Sequence, residues 1–151
     1  MGSDIHAVIE YEREGCPAVG WGKVFIERDH DLFKALAFAE QADGESMRFP
    51  PRGLPANLSH ESLEEFVRES SVVGYLASPR VLSFPEAEAI LREDLHTPSW
   101  LTWNELEKVL SDFKLEPDQQ TPTFQAALAA LRVLAARYGG DHVRIVYCFD
   151  G

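Results

Sequence analysis

The sequence predicts an α+β domain: a small, mainly antiparallel sheet with several helices packed mostly on one face. Three observations carry this. Apolar and polar residues alternate with period two near both ends of the chain, over 4–12 and 142–150, as in strands. Between them helix-start signals recur, at Ser62/Glu65, Ser83/Glu86, Thr102/Glu105 and Thr121-Pro122. The order strand, strand, helices, strand segregates the two element types, which favours α+β over alternating βαβ units. At 151 residues, 45% of them hydrophobic, the chain fits one domain spanning 1–151. A domain of that size buries roughly 68–70% of its unfolded surface.

The elements follow in order. In 4–12, Ile5, Ala7, Ile9 and Tyr11 share one face, while Asp4, His6, Val8, Glu10 and Glu12 share the other. This predicts a half-buried strand. Gly15-Cys16-Pro17 reads as a turn. Residues 18–27, with Trp21, Val24, Phe25 and Ile26, form a second strand able to pair with the first as a hairpin. Asp29 or His30 opens a helix whose stripe is Leu32, Phe33, Leu36, Ala37 and Ala39 and which ends near Gly44. Residues 44–58 hold Pro50, Pro51, Gly53 and Pro55, which exclude a helix interior or central strand. The spacing of Ser62 and Glu65 predicts a short helix with Phe66 and Val67, and Ser83 and Glu86 another with Ala87, Ile90 and Leu91. Thr102 and Glu105 precede Leu106, Val109, Leu110 and Phe113. Thr121-Pro122 starts the longest helix, with Phe124, Ala127, Leu128, Leu131, Leu134, Ala135 and Tyr138 as its stripe and Gly139-Gly140 as its stop. In the last strand Val143, Ile145, Tyr147 and Phe149 oppose Arg144, Val146, Cys148 and Asp150.

Composition excludes several function classes. The net charge of −11 disfavours a nucleic-acid backbone as partner, because neutralising phosphates needs Lys and Arg. The acids are unevenly spread: residues 61–118 hold thirteen acids and five bases, and residues 119–151 two acids and three bases. The excess thus sits mainly on predicted helix faces, either as a solvated surface or as an acidic surface that mimics nucleic acid. It does not exclude a small phosphorylated ligand in a local arginine-bearing pocket. No apolar run approaches the ~20 residues of a membrane-spanning helix, so no membrane partner is expected. The opening residues lack a signal peptide's basic and apolar regions. Cys16 and Cys148 are too few for a disulfide framework or a four-thiolate zinc site, and a reduced cytoplasmic setting is the expectation. Neither cysteine has an activating partner adjacent in sequence. There is no phosphate-binding Gly-rich loop, nucleophile elbow or His-Glu-x-x-His zinc motif.

Four constellations could carry chemistry. Asp4 and His6 point to the same face of a strand, and suit a metal, acid–base work or a polar ligand; a hydrogen-bonded pair at a sheet end explains them equally. Arg28-Asp29-His30-Asp31 meets a helix N-terminus, which suits an anion; capping with a surface ion pair is the plainer account. In the irregular segment, Arg52-Gly53-Leu54-Pro55, with Arg48 nearby, can present an arginine rigidly or simply cover the core. His96-Thr97-Pro98-Ser99-Trp100-Leu101-Thr102 gathers an imidazole, three hydroxyls and an indole ahead of a helix. Thr102 is explained by capping and Trp100 by core packing; with His96 and Ser99 they also suit a nucleobase or sugar.

Five short motifs occur in order from end to end. They are the opening Met-Gly-Ser-Asp-Ile-His, Arg28 with Asp31-Leu32-Phe33, Arg52-Gly53-Leu54-Pro55, His96 through Thr102 with Glu105-Leu106, and Val143-Arg144-Ile145-Val146 with Phe149-Asp150. The set resembles a family of small, largely uncharacterised proteins common in phage and prophage genomes. Ser3 stands where many relatives carry Cys, and His30 where Tyr is common. The resemblance implies a setting, action on host defence or host metabolism, rather than a reaction.

The resulting expectation is a binding protein. It would sequester a nucleotide-derived small molecule, such as a host immune signal, and so counter antiviral defence. Its ligand contacts would come from Asp4, His6, Arg28, Arg52, Gly53, His96, Ser99, Trp100 and Thr102, with no cofactor and no resident metal. One alternative is a small hydrolase or phosphoesterase, metal-assisted or not, using Asp4, His6, His96 and Asp150. Another is an acidic protein-interaction inhibitor. A homo-oligomer is compatible with the composition.

Overall fold

A computed structural model describes residues 4–37, 49–69 and 96–149, with Pro85 and Ala89 as isolated helical positions. Four antiparallel strands form one sheet in the order β2-β1-β4-β3: β1 (Ile5–Tyr11), β2 (Val19–Ile26), β3 (His96–Thr102) and β4 (Val143–Phe149). The α-helices described over their length are α1 (His30–Ala37), α2 (His60–Glu69), α3 (Trp103–Asp112) and α4 (Pro122–Tyr138), with a 3-10 turn at Pro117–Gln119 between the last two. This is the expected α+β class. The predicted helix at Ser83/Glu86, the end of α1 near Gly44, Arg48 and Asp150 lie outside the described residues.

The first and last strands of the sequence occupy the centre of the sheet. Ile5 stands opposite Phe149 and Glu10 opposite Arg144. The turn at Gly15, with a φ of 73°, folds β2 back onto β1, and a bulge near Ile9/Glu10 shifts their register. One face of the sheet carries the main core, where Ile5, Ala7, Ile9, Ile145, Tyr147 and Phe149 pack against α1, α3 and α4. On α4, Phe124, Ala127, Leu128 and Leu131 are buried, while Leu134, Ala135 and Tyr138 pack at the margin. Thr121 caps the helix by accepting from the Phe124 N–H, and Gly139, at φ 99°, ends it.

Burial corrects the expectation for β1, which is covered on both faces. Val8, Val146 and Cys148 meet Leu63 and Phe66 of α2, together with Leu54 and Leu58 of the irregular segment. A central strand that is polar on one face would need that face exposed; here a helix and a loop cover it. Ser59, not Ser62, caps α2: its hydroxyl accepts from the Ser62 N–H at 3.1 Å and its carbonyl from the Leu63 N–H at 3.0 Å. The Ser62 hydroxyl turns inward to Glu10, at 2.7 Å.

The segment 96–102, where the sequence allows a packed turn ahead of a helix, is the edge strand β3. Its irregularity explains the expectation. Pro98 lacks an N–H, and Thr97 has a φ of 53°, where the register against β4 slips between His96 and Ser99. The outer edge of β3 is closed by the loop over 49–59: Gly53 N–H donates to the Pro98 carbonyl at 2.9 Å, and Arg52 N–H to the Ser99 hydroxyl at 3.0 Å. Gly53 takes a φ of 77°, a conformation glycine adopts at little cost.

Candidate functional site

The covered end of the second face holds a cleft of about 550 Å³ between the 52–57 loop, β3 and the turn after α4. That volume lies within the range of small-molecule sites. Arg52, Asn57, Trp100, Thr102, Asp141 and Arg144 line it.

Arg52 is held from two sides. Its Nη1 donates to Glu105 Oε1 at 3.0 Å and its Nη2 to Oε2 of the same carboxylate, a fork-on-fork pair. Nη1 also lies 3.4 Å from the Trp100 carbonyl. The guanidinium carbon sits 4.5 Å from the centre of the Trp100 ring and 5.3 Å from that of Phe49. Glu105 is fixed in turn by the helix start. The Thr102 hydroxyl accepts from the Glu105 N–H, and Glu105 Oε1 accepts from the Thr102 N–H at 3.1 Å. One carboxylate therefore closes the capping box of α3 and clamps Arg52. Burial pushes the Glu105 carboxyl up, but the hydrogen bonds from Arg52 and Thr102 outweigh it and hold the group below its ordinary range. The hydrogen bond to Glu105 raises Arg52 above its own ordinary value.

Arg144 forms the second anchor. Its Nε and Nη2 donate to Glu10 Oε1 at 2.9 and 2.6 Å, and its Nη1 to Asn57 Oδ1 at 2.8 Å. Glu10 is fully buried, and its other oxygen accepts from the Ser59 N–H and the Ser62 hydroxyl. Asn57 completes the network by donating to Glu12 at 2.8 Å. The Arg144 guanidinium carbon is 5.7 Å from the Trp100 ring centre, so the indole has a cation against it from each anchor.

The structure divides the sequence-derived set. Arg52, Trp100 and Thr102 line the cleft. Gly53 and Ser99 support it from behind, by bonding the loop to β3; Ser99 is buried and also bonds Tyr147. Burial raises the Tyr147 hydroxyl to about 12, and it donates to the Leu36 carbonyl at 3.4 Å. Asp4, His6, Arg28 and His96 belong to the opposite end of the sheet, where His6 pairs with Cys148 and His96 with Phe149. There the exposed Arg28 binds Asp4 at 2.7–2.8 Å, and Asp29 Oδ1 caps α1 through the Leu32 N–H. Arg28 and Asp29 thus do the ion pairing and capping that was the plainer account of their stretch.

β1 and β4 do pair, as the hydrolase alternative required, but Asp150 lies outside the described residues. Among the described residues, no group of three or more His, Cys, Asp or Glu side chains is placed to hold a metal ion. Cys148 is buried in β4 and Cys16 exposed in the β1–β2 turn. No helix of the described residues is long and apolar enough to cross a membrane.

Sequence reasoning missed Glu10, Glu12, Asn57, Asp141, His142 and Arg144 as site residues. A signal existed for two of them. Glu10 and Arg144 are opposite charges on the second faces of strands whose neighbouring positions are apolar, and antiparallel pairing sets them side by side. Asn57 and Asp141 lie in loops and have no periodicity to reveal them, while Glu12 and His142 stand at the margins of the alternating stretches, just outside β1 and β4. Comparison of the chain with protein-family models, with curated proteins and with solved structures gives no match.

Proposed function

We propose that the protein binds a small nucleotide-derived molecule in this cleft and releases it intact, with the base and sugar as the part held. The observation that carries the reading is the Arg52 guanidinium lying 4.5 Å from the Trp100 ring centre at the cleft wall. A flat ligand ring can extend that stack, since bases stack on both indole and guanidinium planes. Thr102 supplies a hydroxyl, and Asp141 and Glu12 supply carboxylate oxygens suited to sugar hydroxyls or exocyclic amines.

In this reading the cleft arginines support the stack rather than grip a phosphate. Glu105 binds Arg52 and Glu10 binds Arg144, while Glu12 and Asp141 line the same space. Two guanidiniums against four carboxylates make this an unfavourable place for an anion. In the setting implied by the sequence resemblance, a phage-encoded binder of this kind would remove a host defence signal by sequestration.

Calorimetric titration with the four ribonucleosides tests the proposal, with chromatography of the recovered ligand. The expected result is saturable binding of at least one nucleoside, recovered unchanged. Trp100→Leu, which keeps an apolar side chain against Leu54 and Leu58, should weaken binding by roughly fivefold or more, given stacking energies of about 1–3 kcal/mol per base. Turnover of the ligand at substoichiometric protein, or unaltered affinity in Trp100→Leu, would overturn it.

A further inference from the structure

Beyond the rim of the cleft lies a second hollow, also of about 550 Å³, bounded by Arg13, Glu14, Arg137 and Tyr138. The two share Glu12 and His142 as a common wall. That wall is braced: the Glu12 N–H donates to the His142 carbonyl at 2.8 Å, and the His142 N–H to the Gly139 carbonyl at 3.0 Å. Tyr138, on the floor, is stacked on Tyr11 at 4.6 Å between ring centres.

The two hollows differ in how their cations are used. In the first, each guanidinium is bound by a carboxylate. In the second, Arg13 and Arg137 are exposed, and neither is paired with a carboxylate among the described residues; Arg137 lies 5.9 Å from the Tyr138 ring centre. The acids beside them are Glu14 and the shared Glu12, and Glu12 is already engaged by Asn57 and lies 3.5 Å from Arg144. The charge balance therefore rises from the first hollow to the second, where uncommitted guanidinium donors are available to an anionic group.

We infer that the ligand is a phosphorylated nucleoside bound across both hollows. Its base and sugar occupy the Trp100 cleft, and its phosphate crosses the Glu12–His142 rim to Arg13 and Arg137. This rests on the reading of the first cleft and adds the ligand's charged end and the residues that receive it.

The test compares the four ribonucleosides with their 5′-monophosphates and 5′-diphosphates by calorimetry, on the wild-type protein and an R13S/R137S variant. Both substitutions are at exposed positions, and nucleoside binding by the variant reports its folding. The expected result is a gain of about tenfold on phosphorylation, modest because exposed charge pairs are weak. The variant should lose that gain and keep nucleoside affinity unchanged. A nucleoside that binds with no gain on phosphorylation, or a gain that survives in the variant, overturns the inference and leaves the first cleft standing. If wild-type protein binds no nucleoside, both readings fall.

Discussion

Glu10 and Arg144 pose a physical question that most of the chain avoids. Removing a carboxylate and a guanidinium from water costs several kcal/mol each, and their attraction offsets that only with good geometry and full hydrogen bonding. Here the geometry is met. Ser59 and Ser62 take up Glu10 Oε2, Asn57 takes up Arg144 Nη1, and no buried side-chain polar atom of the described residues lacks a partner. The pair ties the start of α2 and the 55–59 loop to the two central strands. Arg144→Leu would leave the Glu10 carboxylate buried beside an apolar group, and the expected cost is about 3–5 kcal/mol. Replacing both residues by Leu should recover much of it, because the uncompensated charge goes as well. Urea denaturation of the three variants reads this. A cost below about 1 kcal/mol for Arg144→Leu alone would show that Glu10 is not held as a buried ion.

At the scale of elements, the start of α3 joins stability to the site. Thr102 ends β3, caps α3 and lines the cleft, and its partner Glu105 holds Arg52. The Glu105 carboxyl is held below its ordinary value of 4.5. A depressed folded-state value means stability that is fully present above the unfolded-state value and is lost as pH falls through the folded one. The wild-type advantage over Glu105→Gln, which keeps a capping amide, should therefore be constant near neutral pH and shrink below about pH 4.5. Thermal unfolding between about pH 3 and pH 7 checks it; an advantage unchanged at the acid end would separate the Arg52 clamp from folding stability. The same stretch shows what was legible in the chain. Thr102/Glu105 and Thr121-Pro122 announced α3 and α4, because a cap is a local contract among residues three apart. β3 was hidden, because Pro98 and the positive φ of Thr97 break the period-two pattern, and because an edge strand closed by a loop needs no apolar alternation. The start of α2 was misplaced for a similar reason. Ser62 looks like a cap beside Glu65, yet its hydroxyl bonds Glu10, a residue 52 positions earlier.

For the whole molecule, the arrangement depends on strands from the two ends of the sequence meeting at the sheet centre. That pairing sets Glu10 beside Arg144 and separates the Asp4/Arg28 end from the cleft. Alternation reveals strands but not their partners, so the nine sequence-derived residues could be named without showing that they divide between two ends of the sheet. Net charge acts at this scale too. With 25 acids against 14 bases, like charges outnumber opposite ones, and compaction brings them together. Exposed pairs such as Arg28–Asp4 contribute little and are screened by salt, whereas Glu10–Arg144 is buried and largely shielded from it. Raising the ionic strength from about 0.01 M to about 0.15 M shortens the screening length from about 30 Å to about 8 Å. Self-repulsion then weakens more than the ion pairs do, so the melting temperature should rise with sodium chloride over this range. A fall would mean that exposed ion pairs, rather than the buried one, carry the electrostatic part of stability. The same titration with duplex DNA present separates surface repulsion from ligand recognition: at net charge −11 the protein should show no shift from DNA at the higher salt, while a nucleoside held in the Trp100 cleft should still raise the transition by mass action.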